Sequence, residues 1–393
     1  MYMVQQVNKL GKSDWYMAWY QDDEVLMNSS SGGAFTAIAE VVLQDNGVVF
    51  GATFDEKTWD VYHKPVTCIE ELNDIRGSKY YQSQAFLAYA DCKKYLDAGI
   101  EVLFSGTACQ VAALKNYLGK SYDNLITVDV LCHGVTSKSV VKKYATAEER
   151  KAKQPIKSIA FRQKGLIPWR NGCGASMLLN YTDGTQKVIT DGIDSFFLAF
   201  SGNLILRPSC YECHFTGTDR ISDFTLSDYW GVDDTCASEY NLEKGISVLV
   251  VNTDKARDLL NRVSKDFIYG PIDPMERAVP CNLAFTKPPP RNEKKASFFA
   301  EYQSTDYDRL IHKLYRPYLI KRCVKQGVKM VVGPKGVAMI KSTFKKLTGG
   351  DRESAFSVRI SQSACYVFPA YSDSSQLGYF CLLYTSDAAD EAR

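Results

Sequence analysis

The sequence predicts an α/β fold: a mixed sheet with a parallel βαβ core flanked by helices, cysteine-rich loops at the strand ends and a helical C-terminal extension. Three observations predict it. A β-type run (Ile100–Phe104), a tight turn, a helix-patterned stretch (Cys109–Leu118) and a second β run (Leu125–Val130) fit within about 30 residues, the size of a βαβ unit with parallel strands. The glycine-bounded apolar run Gly47–Ala52 precedes the alternating Thr58–Lys64, which reads as a strand and its hairpin partner. The chain has 393 residues, 45% hydrophobic and 23% charged, enough for a sizeable core and too apolar for a wholly disordered protein.

In chain order, residues 1–28 are polar and aromatic with weak periodicity and read as an N-terminal lead-in. Asn28–Gly33 is a Ser/Gly loop that opens a buried helix, Ala34–Leu43. Phe86–Leu96 has helical spacing and stops at Gly99. Ser137–Glu149 reads as a charged helix, Ile156–Arg162 and Ala175–Tyr181 as strands, and Asp194–Phe200 as a helix. A CxxC loop follows at Cys210–Cys213, then strands at Phe224–Leu226 and Ile246–Val251. Pro288-Pro289-Pro290 marks a linker, so the main domain is expected over residues 29–290. Residues 291–350 read as a basic helical region. The tail 351–393 lacks helical period and is expected to be disordered or a sequencing artefact, which sets Cys365 and Cys381 aside.

The charge balance excludes some partners. With 47 basic and 45 acidic residues the net charge is +2, so no global field favours nucleic acid or anionic lipid. No apolar run of about 18 residues is present, so no transmembrane segment is expected. The N-terminus lacks a basic region followed by an apolar one, which points to a cytoplasmic location. Twelve cysteines in a reducing compartment do not form a disulfide framework; they pack, bind metal or do redox chemistry.

The chemistry concentrates at two kinds of loop. Cys210 and Cys213 place two sulfurs on one side of a turn, a pattern shared by zinc, thioredoxin-like and iron–sulfur sites. Cys109 and Cys132 each follow a strand of the βαβ unit, and neighbouring strands about 4.8 Å apart can bring their loops to one point. Four thiolates from three loops would make a Cys₄ site. Isolated Cys68, Cys92, Cys173, Cys236, Cys281 and Cys323 read as inert, with Cys173 between two glycines the best outsider. His133 and His214, beside candidate ligands, read as hydrogen-bond donors to sulfur. Ser30, Ser31, Gly32 and Gly33 precede a helix and suit a phosphate as well as a plain cap. The run Arg76–Tyr81, with Ser78 and Lys79, offers a cation, a hydroxyl and aromatic rings. Gly106 and Thr107 stand at a strand end, where ligands of such sheets bind. Asp228 and Trp230 are candidates to face the site. No catalytic triad or acid–base pair is visible, and no catalytic residue is assigned.

These segments occur in one order: Ser30–Gly33, Arg76–Tyr80, Leu103–Gln110, Asp129–Val135, Phe161-Arg162 with Lys164, Cys210–Cys213 and Ser222–Gly231. That series closely resembles the coenzyme F420 hydrogenase/dehydrogenase beta subunit family, over about residues 25–300. The resemblance implies a flavo-iron–sulfur oxidoreductase subunit with FAD beside a 4Fe–4S cluster. It implies Cys109, Cys132, Cys210 and Cys213 as cluster ligands, and Ser30, Ser31, Gly32, Gly33, Ser78, Lys79, Gly106 and Thr107 as FAD contacts. It further implies a ferredoxin or ferredoxin-like donor, a small-molecule hydride acceptor of the deazaflavin type, and membership of a complex or homo-oligomer. Two departures stand out. Ala108 replaces a proline common in relatives, and residues 1–67 contain no cysteine, where many bacterial relatives carry a ferredoxin module; the chain is expected to use a separate ferredoxin or to be truncated upstream. Two other functions remain open: a non-enzymatic zinc module on the four cysteines, and a flavin-free accessory protein in polysaccharide biosynthesis.

Overall fold

Strands Val102–Thr107 and Leu125–Val130 are parallel neighbours joined by the helix Ala108–Leu118, so the βαβ unit forms as its hydrophobic pattern requires. The computed structural model describes residues 13–165, 176–190, 193–232, 240 and 242–322. Eleven strands are present among them: β1 (Asp14–Tyr20), β2 (Val48–Phe54), β3 (Val61–Val66), β4 (Val102–Thr107), β5 (Leu125–Val130), β6 (Ile156–Ala160), β7 (Met177–Tyr181), β8 (Gln186–Ile189), β9 (Phe224–Asp228), β10 (Ser247–Val251) and β11 (Phe267–Pro271). Eight form one sheet in the order β11-β1-β10-β9-β5-β4-β2-β3. Its centre, β9-β5-β4-β2, is parallel, and antiparallel pairs close both sides. The mixed α/β class read from the sequence is therefore the class of the fold.

Both faces of the sheet are covered, as a parallel centre demands. On one face the helices Ala34–Gln44 and Asp254–Leu260 bury Ile38, Val42 and Leu259 against Leu103, Ile126 and Leu249. On the other, Phe86–Asp97 and Ala108–Leu118 bury Tyr89, Cys92, Val111 and Leu114 against Phe50, Phe104 and Val102. Cys92 is fully buried there, as an inert packing residue. The helix Lys138–Ala152 starts at Ser137, whose hydroxyl accepts from the Val140 N–H. A second sheet, β6-β7-β8, stands apart and is tied to that helix by Glu148, a buried carboxylate paired with Lys151 and Lys187.

Several boundaries differ from the sequence reading. β1 falls within residues 1–28 and pairs with both β10 and β11, so those residues are not merely a lead-in. Its alternating Asp-Trp-Tyr-Met-Ala-Trp-Tyr is half-exposed and aromatic, which hides the two-residue period from an apolar count. β8 and β11 escape the sequence reading for the same reason: both are short, partly exposed edge strands. The compact unit runs to Tyr307, not to residue 290, because the helix Lys295–Glu301 buries Phe298 within it. A second unit begins at Asp308, where residues 308–322 are helical. Cys173, Cys236, Cys323 and the tail 351–393 lie outside the described residues.

Candidate redox site

The register of the central strands sets the geometry. Thr107 of β4 is the partner of Val130 of β5. Cys109 and Cys132 each lie two residues beyond that pair, so their loops leave the sheet at the same level. Cys109 sits exposed in the first turn of its helix, with the Thr107 hydroxyl 3.1 Å from its sulfur. The Gln110 side chain turns back to accept from the Thr107 N–H at 2.9 Å and closes that turn.

The Cys210–Cys213 turn is carried to the same place by three ties. The Arg207 N–H donates to Val135 O at 2.9 Å. Gly134, at φ +137°, lies so close that a side-chain carbon there would meet Leu206 at 2.9 Å and the Cys210 β-carbon at 3.4 Å, so only glycine lets the two loops touch. Arg220 is buried, reaches Asp129 in β5, and donates to Phe215 O at 2.7 Å and Gly217 O at 3.3 Å. Arg220 thus welds the loop after the CxxC to the strand that leads to Cys132.

The four cysteines predicted as ligands therefore lie within electrostatic reach of one another. Burial, and then neighbouring Cys210, Cys109 and Cys213, push the Cys132 thiol up to about 12, against the pull of the Gly134 N–H. Burial likewise raises Cys210, with Cys109 and Cys213 adding to it. Cys132 is half-buried, and His133 beside it is exposed. Among the described residues, no group of three or more His, Cys, Asp or Glu side chains is drawn together tightly enough to hold a single metal ion. The thiols are gathered at electrostatic range instead.

The glycine and serine loops adjoin these cysteines. Tyr81 bridges to Thr136, and Gln82 N–H donates to Thr136 O at 3.1 Å, so the Arg76–Tyr81 segment runs beside the Cys132 loop. Tyr80 stacks on Phe200 at 4.9 Å, and Phe200 in turn lies 5.4 Å from the His133 ring. Ser30 and Ser78 hydroxyls meet at 2.9 Å, joining two of the predicted flavin loops. Lys79 is enclosed: its ammonium donates to Arg76 O at 2.7 Å, and burial holds its pKa down to about 8. Beneath it, His63 donates from Nε2 to Ser105 O at 2.9 Å and stacks on Phe104; burial lowers its pKa to about 4, so it is neutral near pH 7. Gly106 follows Ser105 at this strand end.

Not every predicted contact points outward. The Ser31 hydroxyl donates to Ile246 O at 2.8 Å, and its own carbonyl accepts from Lys164. Gly32 is buried, and an added β-carbon would lie 2.1 Å from Ala18 O. Both residues stitch their loop to β1 and to the start of β10. Gly33, at φ +87°, is the turn that starts the Ala34–Gln44 helix. The Thr107 hydroxyl faces Cys109, so it belongs to the cysteine site. Asp228 is held by Arg162 at 2.7 and 3.1 Å, both nearly buried, and serves as a strut. Sequence reasoning misses the Asp129–Arg220 pair, although an aspartate inside the apolar run Leu125–Val130 is a legible signal for a buried partner.

Two family models match the chain, both of the beta subunit of coenzyme F420 hydrogenase/dehydrogenase. The model of its N-terminal part matches residues 15–88, and the model of its C-terminal part matches residues 100–273. Together they cover well over half of the sequence. Among solved structures, a chain of the F420-reducing NiFe hydrogenase complex from Methanosarcina barkeri, in a xenon-derivatised form, is similar with 18% identity and a TM-score of 0.47, over 69% of this chain and 86% of that one. No curated protein matches. Among the described residues no helix is long and apolar enough to cross a membrane.

Proposed function

Because the chain belongs to the coenzyme F420 hydrogenase/dehydrogenase beta-subunit family, a family of oxidoreductases, we propose that Cys109, Cys132, Cys210 and Cys213 hold a 4Fe–4S cluster, and that Ser30, Gly33, Ser78, Lys79 and Gly106 hold FAD beside it. When bound, the two groups supply one-electron exchange with a ferredoxin-like donor and hydride exchange with an organic acceptor of the deazaflavin type.

The observation that carries this reading is the convergence of four sulfurs from three loops. Thiols that raise one another's pKa are at odds as protons leave, and a bound cation relieves that repulsion by taking them as thiolates. The family membership favours a polynuclear core over zinc. A single zinc ion needs every sulfur about 2.3 Å from one point, whereas a cluster offers each thiolate its own iron. The Ala108–Leu118 helix directs its positive end at Cys109 and favours a thiolate there. Lys79 brings an enclosed ammonium to a loop whose hydroxyls are already paired, a suitable partner for a phosphate or an electron-rich ring. Tyr80, Phe200 and His133 form a chain of ring contacts between the two loops. The protein's part is thus to orient, insulate and balance charge. Assembly with further subunits is part of the proposal.

Anaerobic purification with iron, sulfide and flavin quantification tests it. About four irons and one FAD per chain are expected, with Cys210→Ser and Cys132→Ser each losing the iron. One zinc per chain without flavin would establish the zinc module instead. Tight binding of a sugar nucleotide by a colourless protein would favour the accessory role.

A further inference from the structure

The C-terminal family model ends at residue 273. The segment beyond Pro288–Pro290 nevertheless returns to the Cys210–Cys213 turn. Arg291 pairs with Glu212 and lies 6.0 Å from the Tyr211 ring centre. Asn292 donates from Nδ2 to Gly202 O. Lys295, the first residue of the Lys295–Glu301 helix, donates from Nζ to Leu206 O and to Tyr211 Oη at 3.0 Å, and sits 4.3 Å from the centre of the Tyr211 ring. The Tyr211 hydroxyl donates onward to Asn203 O.

Tyr211 and Glu212 are the two residues between Cys210 and Cys213. Both are contacted by cations of the same short segment, Tyr211 chiefly by Lys295 and Glu212 by Arg291, and Lys295 lies within electrostatic reach of Cys210. Tyr211 is buried, so its contacts are ordered, whereas the Arg291–Glu212 pair is largely exposed and contributes little stability. The grip on Tyr211 is therefore the one that holds the turn.

We infer that Lys295, assisted by Arg291, is a positioning residue that locks the Cys210–Cys213 turn and sets positive charge beside the metal core. The inference rests on the cluster reading above. A fixed cation near a cluster favours the electron added on reduction, and it does so more strongly where protein replaces water. Removing the charge makes the cluster harder to reduce, and an arginine at the same place restores it.

The test uses the full chain, purified anaerobically, as wild type, Lys295→Met, Lys295→Arg, Arg291→Gln and Tyr211→Phe. Iron per chain is measured first, then the midpoint potential by an EPR-monitored titration. Lys295→Met is expected to keep its iron while its reduction equilibrium constant falls about tenfold, or about 59 mV for a one-electron couple. Lys295→Arg is expected to return to the wild-type value, and Arg291→Gln to shift less because its charge is exposed. Full iron with an unchanged potential in Lys295→Met overturns the charge role. Amide hydrogen exchange over residues 210–215 reads the lock without any metal. Faster exchange is expected in both Lys295→Met and Tyr211→Phe, and wild-type protection in both overturns the lock. A wild-type chain without iron overturns the cluster reading itself, and with it the charge role, while the exchange result still decides the lock.

Discussion

Arg220→Leu removes the cation that joins the CxxC loop to β5. The side chains of Arg220 and Asp129 are 2% and 0% exposed, so deletion leaves a carboxylate buried without its charge partner. Asp129 keeps one hydrogen bond, from the Thr225 hydroxyl at 3.2 Å, while Phe215 O and Gly217 O each lose a donor. Breaking a buried pair from one side costs about 3–5 kcal/mol, which for a unit of this size lowers the melting temperature by roughly 6–10 °C at about 2 °C per kcal/mol. Asp129→Leu combined with Arg220→Leu removes the stranded charge and is expected to recover most of that loss, since a matched apolar replacement is often neutral. The assay is urea unfolding followed by circular dichroism for the wild type, both single variants and the double variant. Iron content is expected to fall in Arg220→Leu and to stay low in the double variant, because the loop anchor is absent from both. A single-variant cost under about 1 kcal/mol, or a double variant no more stable than Arg220→Leu, would refute the reasoning that this pair is a desolvated weld.

Other outcomes follow from single observations. Gly32→Ala is expected to fold poorly, because its β-carbon would meet backbone at 2.1 Å, whereas Gly99→Ala has open space and loses only about 1 kcal/mol for its positive φ; expression and thermal unfolding separate them. Lys79 sits near 8 in the folded chain against about 10.4 unfolded, so the folded state binds fewer protons between those values and stability rises with pH there. Lys79→Met should abolish that rise, worth at most about 3 kcal/mol, in unfolding curves at pH 7.5 and pH 10.5. His63, lowered to about 4, contributes stability that is present above about pH 6.5 and lost as pH falls toward 4, so His63→Phe should flatten acid unfolding across that window.

The local elements are legible from the residues. Glycine punctuation and apolar runs mark β2, β4, β5 and their helices, because each buries a continuous face against a covered sheet. The ordered motifs likewise lead from sequence to family. The four cysteines can be nominated from their turns, and the parallel pairing of β4 and β5 follows from a crossover helix of the right length. What the chain order leaves open is which distant segments share a neighbour. β1 joins the sheet only because β10 and β11, more than 200 residues away, present free edges on either side of it. Ser31 and Gly32 look like a phosphate cradle in one dimension, and become backbone seams once Ala18 and Ser247 close on them. Arg220 and Lys295 carry no local signature at all. Their partners, Asp129 and Tyr211, lie 91 and 84 residues away in the chain, and burial makes such pairings decisive only after the fold has removed the water between them.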